Sequence, residues 1–136
     1  MTDQTLSPYG ALLLRLTLGV AALSHGLLKV FVFTLPGTVQ FFEAQGFPAA
    51  TAYVVVLAEI GGGLALIAGV WTRYIALAFV PILLGAVATH AGNGWVFSAP
   101  NGGWEYPAFW TLALFVQALL GDGAYALRSP ATILAA

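Results

Sequence analysis

The chain has no cysteine, a single methionine, and only nine charged side chains among 136 residues, four Lys or Arg and five Asp or Glu. Each shortage excludes something. Without cysteine there are no disulfides, thiolate nucleophiles, iron–sulfur ligands or CxxC redox motifs. Four basic residues cannot form a phosphate-binding stripe, so nucleic acid is excluded as a partner. A soluble domain is about one quarter charged, and 7% cannot clothe a water-facing surface. A disordered chain would need low hydrophobicity, yet 60% of the residues are hydrophobic and mean hydropathy is +0.93. No segment alternates polar with apolar residues as a membrane β-barrel requires. What remains is an all-α integral membrane protein with the lipid bilayer as its first partner.

A membrane helix needs about 20 mostly apolar residues. Four stretches qualify, at about 8–33, 48–70, 72–90 and 105–120, and the whole of 1–136 reads as one transmembrane domain. Ser7 with Pro8 suits the start of the first span, and Pro36-Gly37 its end. Residues 1–9 carry Asp3 and no Lys or Arg, and Arg15 lies inside the apolar run, so a retained helix is expected rather than a cleaved leader. Gly69 suits a left-handed cap after the second span, Thr72 an N-cap before the third, and Pro81 a kink within the third. The fourth starts near Pro107 and stops at Gly121-Asp122-Gly123.

Only a residue or two around Trp71 joins the second and third spans, which predicts a tight antiparallel hairpin in a four-helix bundle. The connections 34–47 and 91–104 are longer and share the opposite side. Residues 38–46 have the pattern of a short interfacial helix, with Val39, Phe41 and Phe42 inward and Gln40, Glu43 and Gln45 outward. Arg73 and Arg128 favour the cytoplasmic side, so both termini are expected inside the cell membrane and the two long loops outside. Trp71 and Tyr74 would mark the inner interface, and Trp95, Trp104, Tyr106 and Trp110 the outer one.

Ionisable groups inside a bilayer cost about 2.5–3.5 kcal/mol each on insertion scales. This chain places Arg15, His25 and Lys29 in the first span, Glu59 in the second and His90 at the end of the third, with Glu105 at the mouth of the fourth. Arg15, Gly19, Ala22, Gly26 and Lys29 fall on one helical face, as do Glu59, Gly62, Gly63 and Leu66. Such faces point into a bundle. At 1.5 Å per residue, Glu59 lies roughly 15 Å below the surface, and an Arg15–Glu59 pair must extend across roughly 10 Å of depth or be bridged. The expected site is an outward-opening pocket with Glu59, His90 and His25 as its chemical groups. Arg15, Lys29, Glu105, Trp104 and Phe109 would bind substrate, and Phe109 and Leu112 would form part of the wall. Each group also has a plain structural use: Arg15 with Glu59 as a clamp, Lys29 reaching for headgroups, Glu105 complementing a helix N-terminus. No metal motif is present. Two histidines alone are a poor case for haem, which needs facing rings and a wide slot.

The order Arg15-Leu-Thr-Leu-Gly19, His25-Gly26-Leu27-Leu28-Lys29, Gly46-Phe47-Pro48, Glu59 through Gly69 with Thr72-Arg73, His90, and Gly121-Asp122-Gly123-Ala124-Tyr125 resembles the DoxX family of small four-helix membrane proteins. The resemblance covers roughly residues 11–127. It departs at Ala126-Leu127-Arg128, where the family has a Ser-Leu-Asp type stretch. It implies a role near quinone and sulfur redox chemistry, one branch resembling the small subunit of thiosulfate:quinone oxidoreductase. The expected activity is therefore a quinone-linked membrane oxidoreductase or a subunit of one, with quinone as its cofactor. A homo-oligomer or a redox partner subunit is expected beside it, because the chain has no redox centre of its own. The alternatives are a small solute or proton transporter, or a structural partner in a membrane redox complex.

Overall fold

A computed structural model describes residues 4–127. They form five α-helices: α1 Ser7–Phe31, α2 Leu35–Ala44, α3 Ala49–Ala68, α4 Thr72–His90 and α5 Glu105–Leu120. One 3-10 turn, Ala91–Asn93, follows α4, and no β-strand occurs among the described residues. Three helices, α1, α3 and α4, are long and apolar enough to cross a membrane. The chain is a membrane protein.

Helix α1 packs chiefly on α3, and α4 on α5. The α1–α3 seam is built from small residues. A side chain on Gly63 would collide with the backbone of Leu23 and Gly19, and one on Gly19 with Ile67 and the Gly63 carbonyl. One on Gly26 would meet Ile60 and the Glu59 Cβ. Small residues let helices approach closely where lipid supplies no hydrophobic drive. The seam also sets an antiparallel register that puts Gly26 beside Glu59 and Gly19 beside Ile67. Gly63→Ala is expected to cost about 1–3 kcal/mol, because its neighbours are backbone atoms that cannot turn aside. A lowered denaturation midpoint in detergent checks this.

The core runs between α1, α3, α4 and α5, through Leu18, Ala22, Leu66, Phe79, Leu83, Trp110 and Leu114. Many large apolar side chains point outward instead, among them Leu13, Leu57, Leu64, Leu84 and Leu119, as expected of a surface solvated by lipid.

Several helix ends differ from the sequence expectation. The first span stops at Phe31, and Pro36 belongs to the first turn of α2. Thr34, at φ 65°, makes the break, and its hydroxyl accepts from the Gly37 amide at 3.3 Å. Ser7 is already helical, with Leu6 as the N-cap and no side-chain cap bond. Thr72 is the first residue of α4 rather than its cap; Trp71, at φ 51°, precedes it, and the buried Thr72 hydroxyl has no hydrogen-bond partner among the described residues. Gly69 is the left-handed cap of α3, at φ 72°. Pro81 lies inside α4. Arg128 lies outside the described residues.

Candidate functional site

The α1–α3 register decides which charges meet. Lys29, near the end of α1, comes level with Glu59 in α3. Its Nζ donates to both Glu59 carboxylate oxygens at 2.8 Å. The two side chains are only 17% and 10% exposed. A cation and a carboxylate held this far from water need each other: an unpaired one would carry the whole desolvation cost.

The expected Arg15–Glu59 pair does not form. Fourteen residues of helix put Arg15 roughly 20 Å along α1 from Lys29, at the α3–α4 hairpin end. Its guanidinium is 1% exposed. Nη1 donates to the carbonyl of Asp122, and Nη2 to that of Ala124 at 3.3 Å. Arg15 therefore ties down the segment after α5. The guanidinium itself packs so close to Gly69 that a Cβ there would overlap it. Arg15 stands apart from the pocket it was expected to line.

The pocket itself lies beside the ion pair. It is a cavity of about 1220 Å³ between α1, α2, α3, α4, α5 and the 91–104 loop. Its wall is largely apolar and includes Phe33, Phe41, Phe42, Phe79, Tyr106 and Trp110. Lys29, Glu59, His25 and His90 are the charged or titratable groups on it apart from Tyr106. Four of the expected site residues are thus brought together.

Both imidazoles are held in one way. The His25 Nδ1 lies 2.9 Å from the Ala21 carbonyl, and the His90 Nδ1 2.7 Å from the Ala86 carbonyl, each one turn back on its helix. A carbonyl only accepts, so Nδ1 carries the proton in each ring. Neither Nε2 has a hydrogen-bond partner among the described residues. The His25 ring is further fixed by Trp110, edge-on at 4.9 Å, and by Tyr106, stacked at 6.4 Å. The edge of His90 abuts Gly102, where a Cβ would come within 3.3 Å of the ring.

Helix α2 covers one side. Thr38, rather than Val39, is its buried residue, and the Thr38 hydroxyl donates to the Lys29 carbonyl at 2.9 Å. This bond fastens α2 to the turn of α1 that carries the lysine. Gln45, expected outward, lines the cavity with Phe41 and Phe42.

Three further expectations need correcting. Phe109 is 73% exposed and Leu112 65%, both on the outer face of α5. The inward face carries Pro107, Trp110, Thr111 and Leu114. Because α5 is apolar all round, its sequence does not phase it, and Glu105, Phe109 and Leu112 share a face turned away from the cavity. Trp104 packs edge-on against Trp95 at 4.5 Å, and neither it nor Glu105 lines the cavity. Trp110, expected at an interface, is a core residue and part of the cavity wall. Tyr106 and Thr38 were missed as site residues. Tyr106 follows the wall by its one-turn spacing from Trp110; nothing in the sequence marks Thr38.

Among the described residues, no three His, Asp or Glu side chains gather as a metal site requires. The cavity fits an organic ring better: flat aromatic walls for its faces, and fixed polar atoms for its substituents.

Comparison with known proteins agrees that this is a membrane protein. The DoxX family profile matches residues 10–92. "Putative oxidoreductase CatD" of Bacillus subtilis is 39% identical over 80 residues, covering 59% of this chain and 58% of CatD. "Uncharacterized protein YdgD" of the same organism is 31% identical over 84 residues, 59% of this chain and 72% of YdgD. "Inner membrane protein YqjF" of Escherichia coli is 36% identical over 72 residues, 53% of this chain and 54% of YqjF. The chain thus spans little more than half the length of CatD and of YqjF. No solved structure matches it.

Proposed function

The chain belongs to the DoxX family, and from that premise we propose that it is a quinone-linked membrane oxidoreductase or a subunit of one. The observation that carries the reading is the apolar cavity of about 1220 Å³, with several aromatic side chains and the Lys29–Glu59 pair in its wall. A quinone needs an apolar slot for its ring and tail and polar atoms at its two oxygens. Reduction or oxidation of those oxygens moves protons, and a buried carboxylate or a neutral imidazole suits that exchange. The oxidoreductase name of CatD points the same way.

The roles divide by geometry. Glu59 exchanges the proton, Lys29 holds the Glu59 carboxylate in place, and His25 and His90 bind the ring substituents. Bound quinone supplies the electron chemistry. Electrons enter or leave through the substrate or a partner subunit.

In this reading α5 is the fourth span. Its 16 residues lie below the usual ~20, and the non-helical segments 121–127 and 91–104 flank it at either end. The four helices form a bundle with the cavity on the outer side and both termini cytoplasmic. Cysteines at Gln40 and Ser98, both exposed, are expected to label from outside intact cells, and one at Tyr74 only after permeabilisation. Labelling of all three from one side contradicts the topology.

The function is tested by native mass spectrometry with lipid extraction of the purified protein. Co-purified quinone, retained in wild type and lost in Glu59→Gln with the fold intact, is the expected result. Solute flux in liposomes with neither quinone binding nor quinone turnover would contradict it.

A further inference from the structure

The two histidines limit which form of the occupant the cavity prefers. On the reading that an aromatic redox molecule of the quinone class fills it, we propose that the cavity is built to bind the reduced, dihydroxy form, and that His25 Nε2 and His90 Nε2 are the acceptors for its hydroxyl hydrogens.

Each imidazole gives its Nδ1 hydrogen to a backbone carbonyl, at 2.9 Å for His25 and 2.7 Å for His90. A neutral imidazole has one N–H, so the second nitrogen can only accept. Both second nitrogens belong to rings that line the cavity and lack a protein partner among the described residues. Trp110 flanks the first ring edge-on and Tyr106 lies across it, and the Cδ2–Nε2 edge of the second faces Gly102, which has no side chain to cover it.

Lys29 Nζ gives two of its three hydrogens to the Glu59 oxygens, which leaves one donor for a carbonyl oxygen against the two imidazole acceptors. The hydroxyls of Thr38 and Thr89 donate to the carbonyls of Lys29 and Gly85. Tyr106, Gln45 and Thr51 also line the cavity, but each can donate or accept and so does not discriminate. A quinone carbonyl oxygen brought against either Nε2 would set two lone pairs face to face. A phenolic hydroxyl there completes a hydrogen bond. The difference is one satisfied polar pair against one unsatisfied pair, and leaving buried polar groups unpaired is the expensive outcome.

The test is calorimetric titration of the full chain in lipid nanodiscs, under anaerobic conditions. The ligands are a short-tailed hydroquinone, its quinone, and the dimethyl ether of the hydroquinone. Expected is binding of the hydroquinone about 25-fold or more tighter than of the quinone or the ether, at roughly 5- to 10-fold for each of the two hydroxyls engaged. In His25→Ala or His90→Ala the preference for the hydroquinone over the quinone and the ether should shrink by that factor. The ligand series on the wild-type protein stands even if a variant fails to fold. Equal binding of all three ligands, or tighter binding of the quinone, overturns the assignment and leaves the quinone reading in place. No binding of any of the three overturns both.

Discussion

Lys29→Met is expected to destabilise the protein by about 3–5 kcal/mol, because it strands the Glu59 carboxylate in a site only 10% exposed. Lys29→Met combined with Glu59→Leu should return stability to within about 1 kcal/mol of wild type, since a buried pair replaced by apolar groups of similar volume is often neutral. The double variant separates two roles for the pair. If it only clamps α1 to α3, the stable double variant keeps its ligand and its activity. If the pair belongs to the site, the double variant folds and loses quinone. Denaturation in detergent, read beside quinone content, distinguishes the two, and loss of quinone from the stable double variant is the expected outcome.

The second large effect lies at the other end of the molecule. Arg15→Leu removes two charge-assisted hydrogen bonds to the carbonyls of Asp122 and Ala124 and leaves both acceptors without that partner. At about 1.5–3 kcal/mol for each such bond, the loss should reach about 3 kcal/mol or more. The segment after α5 should then become open to protease, while ligand binding in whatever fraction remains folded is unchanged. Arg15→Lys should recover little, because one ammonium cannot reproduce the planar fork. Limited proteolysis of wild type and both variants, with quinone content measured on the same samples, checks this. An Arg15→Leu protein that is stable but devoid of ligand would place Arg15 back in the site.

These two residues also show what could be read from the sequence and what could not. Helix positions were legible, because runs of about 20 apolar residues bounded by proline and glycine have few other readings. The small-residue faces of α1 and α3 were legible for the same reason, as glycine at helical spacing in an apolar chain marks close approach. The partner of Glu59 was not. Charge alone proposes Arg15 and Lys29 equally, and only the packing register of Gly26 on Glu59 and Gly19 on Ile67 chooses between them. Once glycines on two antiparallel helices are paired in register, Lys29 falls level with Glu59 and Arg15 falls level with Gly69.

The facing of α5 was illegible for a different reason. Phe109, Leu112 and Val116 form an apolar stripe as good as Pro107, Trp110, Thr111 and Leu114. In a lipid-solvated helix the outward face is as hydrophobic as the inward one. The weak polar signal that does distinguish them is Thr111 with Gln117, both buried. Thr111 bonds to the Pro107 carbonyl and Gln117 to the Gly121 carbonyl. In an apolar span, polar residues mark the inside better than aromatic ones do.

The central claim is that the cavity beside Lys29 and Glu59 takes a quinone-class ligand. The most direct measurement uses a variant with Trp71, Trp95 and Trp104 replaced by Phe, leaving Trp110 in the cavity wall as the sole tryptophan. A short-tailed quinone is titrated against its fluorescence. Saturable quenching that disappears in the Lys29→Met, Glu59→Leu background is the predicted result. Quenching that rises linearly with added quinone, or that is the same in both backgrounds, would contradict the account.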